Sequence, residues 1–441
     1  MKSWSRYVVA IIAFIAASAI PIRAQEKQIH YAVRNLGTLG GVLGSSAHSI
    51  NDIGWVAGDA NLTGDTVEHA ALWRDGVVTD LGTLGGSNSG VGFPVKNDDG
   101  LLVGLGQTST IDPLGETFCT FACNGSGTVT CEGSNHSCRA FRWRNGHMEP
   151  LGTLGGNNSG ALGANNRGLV VGTAENNTHD PDCLPPQVLD YKAVTWLAGT
   201  IHELPALPGD PIAAAAGVND NDQVVGGSGN CGSGPGISAI FVHAVLWQND
   251  SVTDLGNLGG VLNNVAYAIN NSGQVVGSSD LPGDNVPGAT PVTHAFFWQD
   301  GVMIDLGTLP GDFWSAAFGI NERGQVVGLS CDVNFNCRAF LWQGNVMTDL
   351  NSLTSPNSPL YLIGAADINA QGEIVGNGLD QSSGVQLAFL AVPCDEEHLG
   401  DQGCQDAAQS PIGLQRPKVV LPENIRQQLQ QRMRLGPFGV R

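Results

Sequence analysis

The chain has 441 residues, of which 42% are apolar and 14% charged, with 61 Gly, 22 Pro and 10 Cys. That apolar share supports a packed core and excludes a mostly disordered chain, and the glycines keep no three-residue period, which excludes collagen. With 20 Lys and Arg against 40 Asp and Glu, the formal charge of −20 repels phosphate backbones and argues against nucleic acid as a partner.

Lys2 and Arg6 precede an apolar run, Tyr7 to Ile22, which ends at Ile22-Arg23-Ala24 before polar Gln25-Glu26-Lys27-Gln28. This pattern predicts a secretory signal peptide over residues 1–24; an uncleaved anchor is the competing reading, for which the run is short. No later segment is long and apolar enough to cross a bilayer. The mature chain is therefore expected in a secreted or periplasmic location, without a transmembrane segment. All 10 Cys follow this leader, an even number that suits an oxidising compartment.

From Leu36 onward one phrase, Leu-Gly-Thr-Leu-Gly-Gly, returns with variations at Leu81, Leu151, Leu204, Leu255, Leu306 and, much degraded, Leu350. Each copy leads to an Asn followed seven residues later by a Gly: Asn51/Gly58, Asn97/Gly104, Asn165/Gly172, Asn219/Gly226, Asn270/Gly277, Asn321/Gly328 and Asn369/Gly376. A variable loop follows, then a basic residue, Ala and an apolar run ending in Trp, as in His294-Ala295 to Trp298. Each unit reads as four short strands, a to d, alternating apolar and polar residues between Gly and Asn turns. The a–b connection is Asn-x-x-Gly, where Asn caps the turn and Gly supplies the positive φ; Asp222 replaces that Gly in the fourth copy. The seven Asn are accordingly read as structural.

Four-stranded units of this kind predict an all-β, seven-bladed β-propeller over residues 29–393, built of antiparallel blades. The seventh unit stops after its c strand, at Pro393, while a spare d-like strand, Tyr31 to Gly37, stands before the first. A ring needs that spare strand to complete its last blade; the alternative, an open β-solenoid, would want polar caps instead.

His294-Ala295-Phe296 with Trp298, the Leu-Gly-Thr-Leu-Gly-Gly phrase and Ile320-Asn321-Glu322-Arg323-Gly324-Gln325-Val326-Val327-Gly328 resemble the HAF-type extracellular repeat of bacteria. The resemblance spans about Leu36 to Val392, with copies two, three and seven departing most. It implies an exported bacterial protein and supplies no catalytic residues.

The base on strand c is matched by an acid eleven residues on, on strand d: His69/Asp80, Lys192/Glu203, His243/Asp254, His294/Asp305 and Arg338/Asp349. Copy two breaks the pattern with Arg139/Pro150, and copy seven offers Leu387 with Asn35. His with Asp suggests acid–base chemistry, but repetition around a ring favours a structural ladder. In the b–c loops, Asp59, Asn61 and Asp65, and again Asp332, Asn334 and Asn336, place oxygen ligands at alternate positions as a calcium loop begins. Neither run has the acid at the twelfth position, so a solvated polar loop is the competing reading. Cys331 with Cys337, Cys394 with Cys404 and Cys183 with Cys231 are expected to form disulfides; pairing among Cys119, Cys123, Cys131 and Cys138 stays open, with four-Cys zinc binding as the alternative there.

Nucleophile-elbow, zinc-protease, phosphate-loop and dinucleotide signatures are all absent from the sequence. The expected function is therefore non-catalytic binding or scaffolding, with an extracellular glycan or protein recognised by the enlarged b–c loops. Phe118, Phe121, His136, His179, Asp180 and Asp182 are the candidate contacts. The alternative is an extracellular polymer hydrolase or lyase acting at the ring's mouth. The tail, residues 394–441, carries a basic helix predicted over Pro422 to Arg434 with Ile425, Leu429 and Met433 on one face, either docked on an acidic surface or solvated.

Overall fold

A computed structural model describes residues 29–116, 135–183, 187–234, 237–283, 292–394, 404–405 and 417–435. The leader, Phe118, Phe121, Cys119, Cys123 and Cys131 lie outside these residues. The described chain is all-β apart from a single 3₁₀ turn, Leu350–Leu353, and short helical segments in the tail. Repeats two to six each form a separate four-stranded antiparallel sheet in the order a-b-c-d. Repeats one and seven share an eight-stranded sheet, joined at one parallel contact between Gly44 and Gln386.

The N-terminal strand Tyr31–Asn35 occupies the place of the missing seventh d strand. It pairs with the seventh c strand, Val385–Pro393, with Tyr31 opposite Pro393 and Asn35 opposite Phe389. Apolar clusters fill the spaces between neighbouring sheets: Val225 and Leu246 of the fourth repeat meet Ala266 and Phe296 of the fifth. Ala47, Ile50 and Trp73 of the first likewise meet Val375 and Ala388 of the seventh.

The Asn-to-Gly spacing has a steric cause. In six repeats the a strand carries an extra residue three positions before the Asn, namely His48, Leu162, Ala216, Tyr267, Phe318 and Ala366. Beside each bulge lies the glycine of strand b. A β-carbon on Gly58, Gly172, Gly226, Gly277, Gly328 or Gly376 would drive into a carbonyl oxygen of strand a, that of Ser46 for Gly58 and of Val265 for Gly277. The a–b turns behave as expected, Gly273 having φ 75° and its substitute Asp222 φ 57°.

The asparagines do more than cap their own turns. Each Oδ1 accepts the N–H four residues on, as from Gln274 to Asn270 (3.0 Å) and from Trp55 to Asn51 (2.8 Å). Each Nδ2 then donates to the backbone carbonyl of the next repeat's Asn: Asn51 to Asn97, Asn97 to Asn165, Asn165 to Asn219, Asn219 to Asn270, Asn270 to Asn321 and Asn321 to Asn369, at 2.8–3.0 Å. Asn369 donates back to Asn51 at 3.2 Å, so the seven bonds form a cycle.

Asn270→Ala should therefore lower stability by about 2–4 kcal/mol, since it orphans several buried backbone partners at once. Asn271→Ala, on the exposed side of the same turn, should cost less than about 1 kcal/mol. Urea unfolding of both variants checks the contrast. Deleting residues 31–37 should bare the Val385–Pro393 edge and promote aggregation, read by light scattering.

Candidate functional site

The c–d pairs form as the spacing predicts in four repeats. His69 Nδ1 lies 2.8 Å from Asp80, His243 Nδ1 3.0 Å from Asp254, His294 Nδ1 2.9 Å from Asp305, and Arg338 Nη1 3.1 Å from Asp349. The same aspartates accept the N–H two residues on, Gly82 for Asp80 and Gly307 for Asp305. Burial would raise the Asp80 and Asp305 carboxyls, but the histidine and glycine hydrogen bonds outweigh it and hold both below the usual range. The Lys192/Glu203 pairing is corrected: Lys192 turns instead to Asp190 (3.2 Å), two residues before it on the same strand, and to the carbonyl of Pro211.

The acids of the two calcium-like loops have protein partners. Asp65 Oδ1 accepts the N–H groups of Val42 (2.8 Å) and Leu43 (3.0 Å), and Asp59 lies 3.5 Å from His48 Nε2. Asp332 accepts from Asn334 and Asn336 N–H and pairs with Lys418 at 3.1 Å, while Asn336 Oδ1 accepts the Leu421 N–H at 2.9 Å. The second loop thus holds the tail. Leu421, Ile425 and Leu429 bury against Trp314, Phe335, Tyr361 and Leu379, and the helix Glu423–Leu435 lies docked, with Lys418 also paired to fully buried Asp312. Cys331–Cys337, Cys394–Cys404 and Cys183–Cys231 are disulfides, with Cα separations of 4.0, 5.3 and 4.7 Å. Cys138 is also disulfide-bonded, its partner lying outside the described residues.

The b–c loops of repeats two and three hold a buried polar cluster that sequence reasoning did not find. His136 binds the carbonyl of Thr108 (2.7 Å), His179 and Asp182 are exposed, and Asp180 is buried, accepting the Asp182 N–H at 2.8 Å. Asp180 adjoins the Cys183–Cys231 sulfurs, which the disulfide removes as metal ligands. Beneath lie Glu116 and Glu175, both fully buried, and one amide nitrogen, Gln187 Nε2, contacts Glu116 Oε1 at 3.2 Å and Glu175 Oε1 at 3.0 Å. Burial first, then the charge of Glu116, push the Glu175 carboxyl up to about 7. Burial also raises Glu116, against the N–H groups of Leu189 and Val188, and it lowers Arg139 against the pull of Glu175 and Asp112.

A second feature lies on the a–b face. The residues after the seven asparagines cap one another's backbone, Asp52 N–H to Asp98, Asp98 to Asn166, Asn166 to Asp220, Asp220 to Asn271, Asn271 to Glu322 and Ala370 to Asp52, at 2.8–2.9 Å. They rim an open funnel whose wall includes Val218, Ile269, Ile320, Ile368 and Lys96. Lys96 stands where other repeats carry an aliphatic residue, and Asp367 where they carry Ser49, Val95, Gly163, Gly217, Ala268 and Gly319. The two meet: Asp367 Oδ1 accepts from Lys96 Nζ at 2.5 Å, and its Oδ2 from the N–H of Ile50 at 3.0 Å. Burial pushes the Asp367 carboxyl up, against the pull of Lys96. Aligning the repeats column by column would have exposed both exceptions.

No family profile matches the chain, and no curated protein matches it. Among solved structures it is similar to the β-propeller domain of the Trilobed protease from Pyrococcus furiosus, at TM-score 0.43 and 12% identity over 71% of this chain and 82% of that one. It is also similar to an acylaminoacyl peptidase from Pyrococcus horikoshii, at 0.44 and 11% over 82% and 54%. A gluconolactonase from Xanthomonas campestris matches at 0.36 and 10% over 82% and 90%.

Lys96→Met should cost about 3–5 kcal/mol, because it strands a buried carboxylate. The double change Lys96→Ile with Asp367→Gly, which restores the residue types of the other repeats, should recover most of that loss in thermal unfolding.

Proposed function

We propose that the chain is an exported, closed seven-bladed β-propeller of HAF-type extracellular repeats, acting by binding an extracellular glycan or protein and not by catalysis. The asparagine cycle and the pairing of Tyr31–Asn35 with Val385–Pro393 support the closed ring. Three paired disulfides among the described residues suit an oxidising location, and no described helix is long and apolar enough to cross a membrane. The observation that carries the binding reading is the contrast between symmetric and asymmetric chemistry. The repeated His, Asp and Asn side chains are engaged with one another or with backbone, as scaffold. Apart from Lys96 and Asp367 on the a–b face, the distinctive polar groups lie at the b–c ends of repeats two to four, where Glu116 binds the Val188 and Leu189 N–H groups and Cys183–Cys231 joins the third repeat to the fourth.

The hydrolase or lyase reading rests on one specific feature, the Glu116 and Glu175 pair, since two carboxylates with one raised to about 7 suit acid–base work. Both are fully buried, which favours a structural role for them.

A glycan array with the mature protein should give a defined ligand class. Shortening the second b–c loop between Thr108 and Ser137 should abolish capture while leaving the melting temperature of the rest nearly unchanged. Unchanged capture would move the site elsewhere, and steady turnover lost in a single carboxylate variant would replace binding by catalysis.

A further inference from the structure

The tail is held to the ring by a short linear stretch of sequence. Between Lys418 and Leu429 the buried side chains are Leu421, Ile425 and Leu429, and the spacing of four sets the last two on one face of the helix Glu423–Leu435. Lys418 Nζ reaches Asp312 Oδ1 (2.5 Å) and Asp332 Oδ2 (3.1 Å), and the Leu421 N–H donates to Asn336 Oδ1 (2.9 Å). On the other side of the helix Glu423 and Gln427 are exposed, and Glu423 accepts from Arg426 of its own turn. No disulfide fastens this stretch, since the last cysteine of the chain is Cys404. All that seats the tail is therefore non-covalent and contiguous in sequence.

The groove that receives it is fixed by bonds within the ring. Cys331–Cys337 closes the loop in which Asp332 accepts the Asn334 and Asn336 N–H groups, and Asn336 Nδ2 donates to Asp332 Oδ2 at 3.0 Å, which leaves Asn336 Oδ1 for the tail. Trp314 stacks on Phe335 with ring centroids 4.5 Å apart, and Asp312 has Arg338 at 2.8 Å as well as Lys418. Each of these groups has a ring partner besides its tail partner, so the floor is shaped in advance, as recognition of a linear peptide requires. The match is complementary twice over: an apolar stripe lies on an aromatic floor, and a lysine meets two acids.

We propose that this groove of the sixth and seventh repeats is a recognition site for amphipathic helical peptides that carry a lysine ahead of the first turn, with the chain's own tail seated in it as a tethered, displaceable occupant. The spacing of Lys418, Leu421, Ile425 and Leu429 specifies the peptide: a base, an apolar residue three positions on, and two more at intervals of four. A free peptide of this class has to compete with the tail. Residues 395–416 link the tail to the ring, and a link of that order sets an effective concentration of roughly millimolar. The tail thereby screens the groove from weak peptides and yields it to strong ones. The proposal is independent of the ligand assigned to the loops of repeats two to four.

The test uses the full chain with Ile425→Asp and Leu429→Asp together, which unseats the tail and leaves every residue of the groove in place. A labelled peptide of residues 417–435 is the probe, read by fluorescence anisotropy. The double variant should capture it about a hundredfold more tightly than the native chain, whose tethered tail competes. A peptide carrying Ile425→Asp should bind neither protein, and one carrying Lys418→Gln should bind the variant about tenfold more weakly. Should the double variant fold poorly, Leu429→Ala in the full chain loosens the tail more gently and should capture the peptide better than the native chain does. A folded variant that takes up no more peptide than the native chain, or capture that is indifferent to both peptide changes, would overturn the proposal.

Discussion

Everything in this fold hangs on one contact made seven times: the asparagine amide that leaves its own turn to reach the carbonyl of the next repeat. A buried amide–carbonyl bond of this kind adds only about 1 kcal/mol net, but leaving either partner unmet costs more, so the bonds constrain more strongly than they stabilise. Because Asn369 returns to Asn51, the first and seventh repeats are joined by the same bond as the others, with Ala47, Ile50 and Trp73 packed against Val375 and Ala388. The bulge and the glycine beside it follow from the same requirement. The a strand must bend to bring its turn to the cycle, and only a residue without a β-carbon lets strand b lie close enough at the bend.

Features copied from repeat to repeat were legible in the sequence, because each copy tests the others. The turn chemistry, the four-strand units, the spare N-terminal strand, three of the disulfides and most c–d pairs could be read from spacing alone. Lys192 was misread for the same reason, since the repeat pattern assigned it Glu203 while a local acid, Asp190, lay two residues away on its own strand. Single contacts outside the repeat pattern, the spare strand and the three disulfides apart, were not legible. Lys96 and Asp367 lie 271 residues apart, and Glu116 meets Glu175 through loops whose lengths match nothing else in the chain. Only the tertiary arrangement brings such residues together, so no local pattern announces them.

The excess of acid explains where the cations sit. With 20 bases for 40 acids, most carboxylates must face water, and those that are buried need a dedicated partner. Asp312 has both Arg338 and Lys418, and Asp367 has Lys96. One of these bases comes from the tail, so the tail is fixed by charge as well as by Leu421, Ile425 and Leu429. Its docking covers apolar residues of the sixth and seventh repeats that would otherwise lie open.

The two sectors of the b–c side are therefore finished by different physics. Around the sixth and seventh repeats an apolar surface is sealed by a helix, with each buried acid matched to a base. Around the second and third, Asp112, Glu116 and Glu175 are held by amide donors, with Gln187 and Asn158 each shared between two carboxylates. A sector sealed by apolar contact keeps its form across pH, because hydrophobic burial does not titrate. A sector held through carboxylates that burial raises is more sensitive to pH. Glu175 lies on the strand Val170–His179 and Glu116 just beyond Leu102–Ile111, at the b–c ends and away from the asparagine cycle, so that sensitivity stays at that end of the repeats.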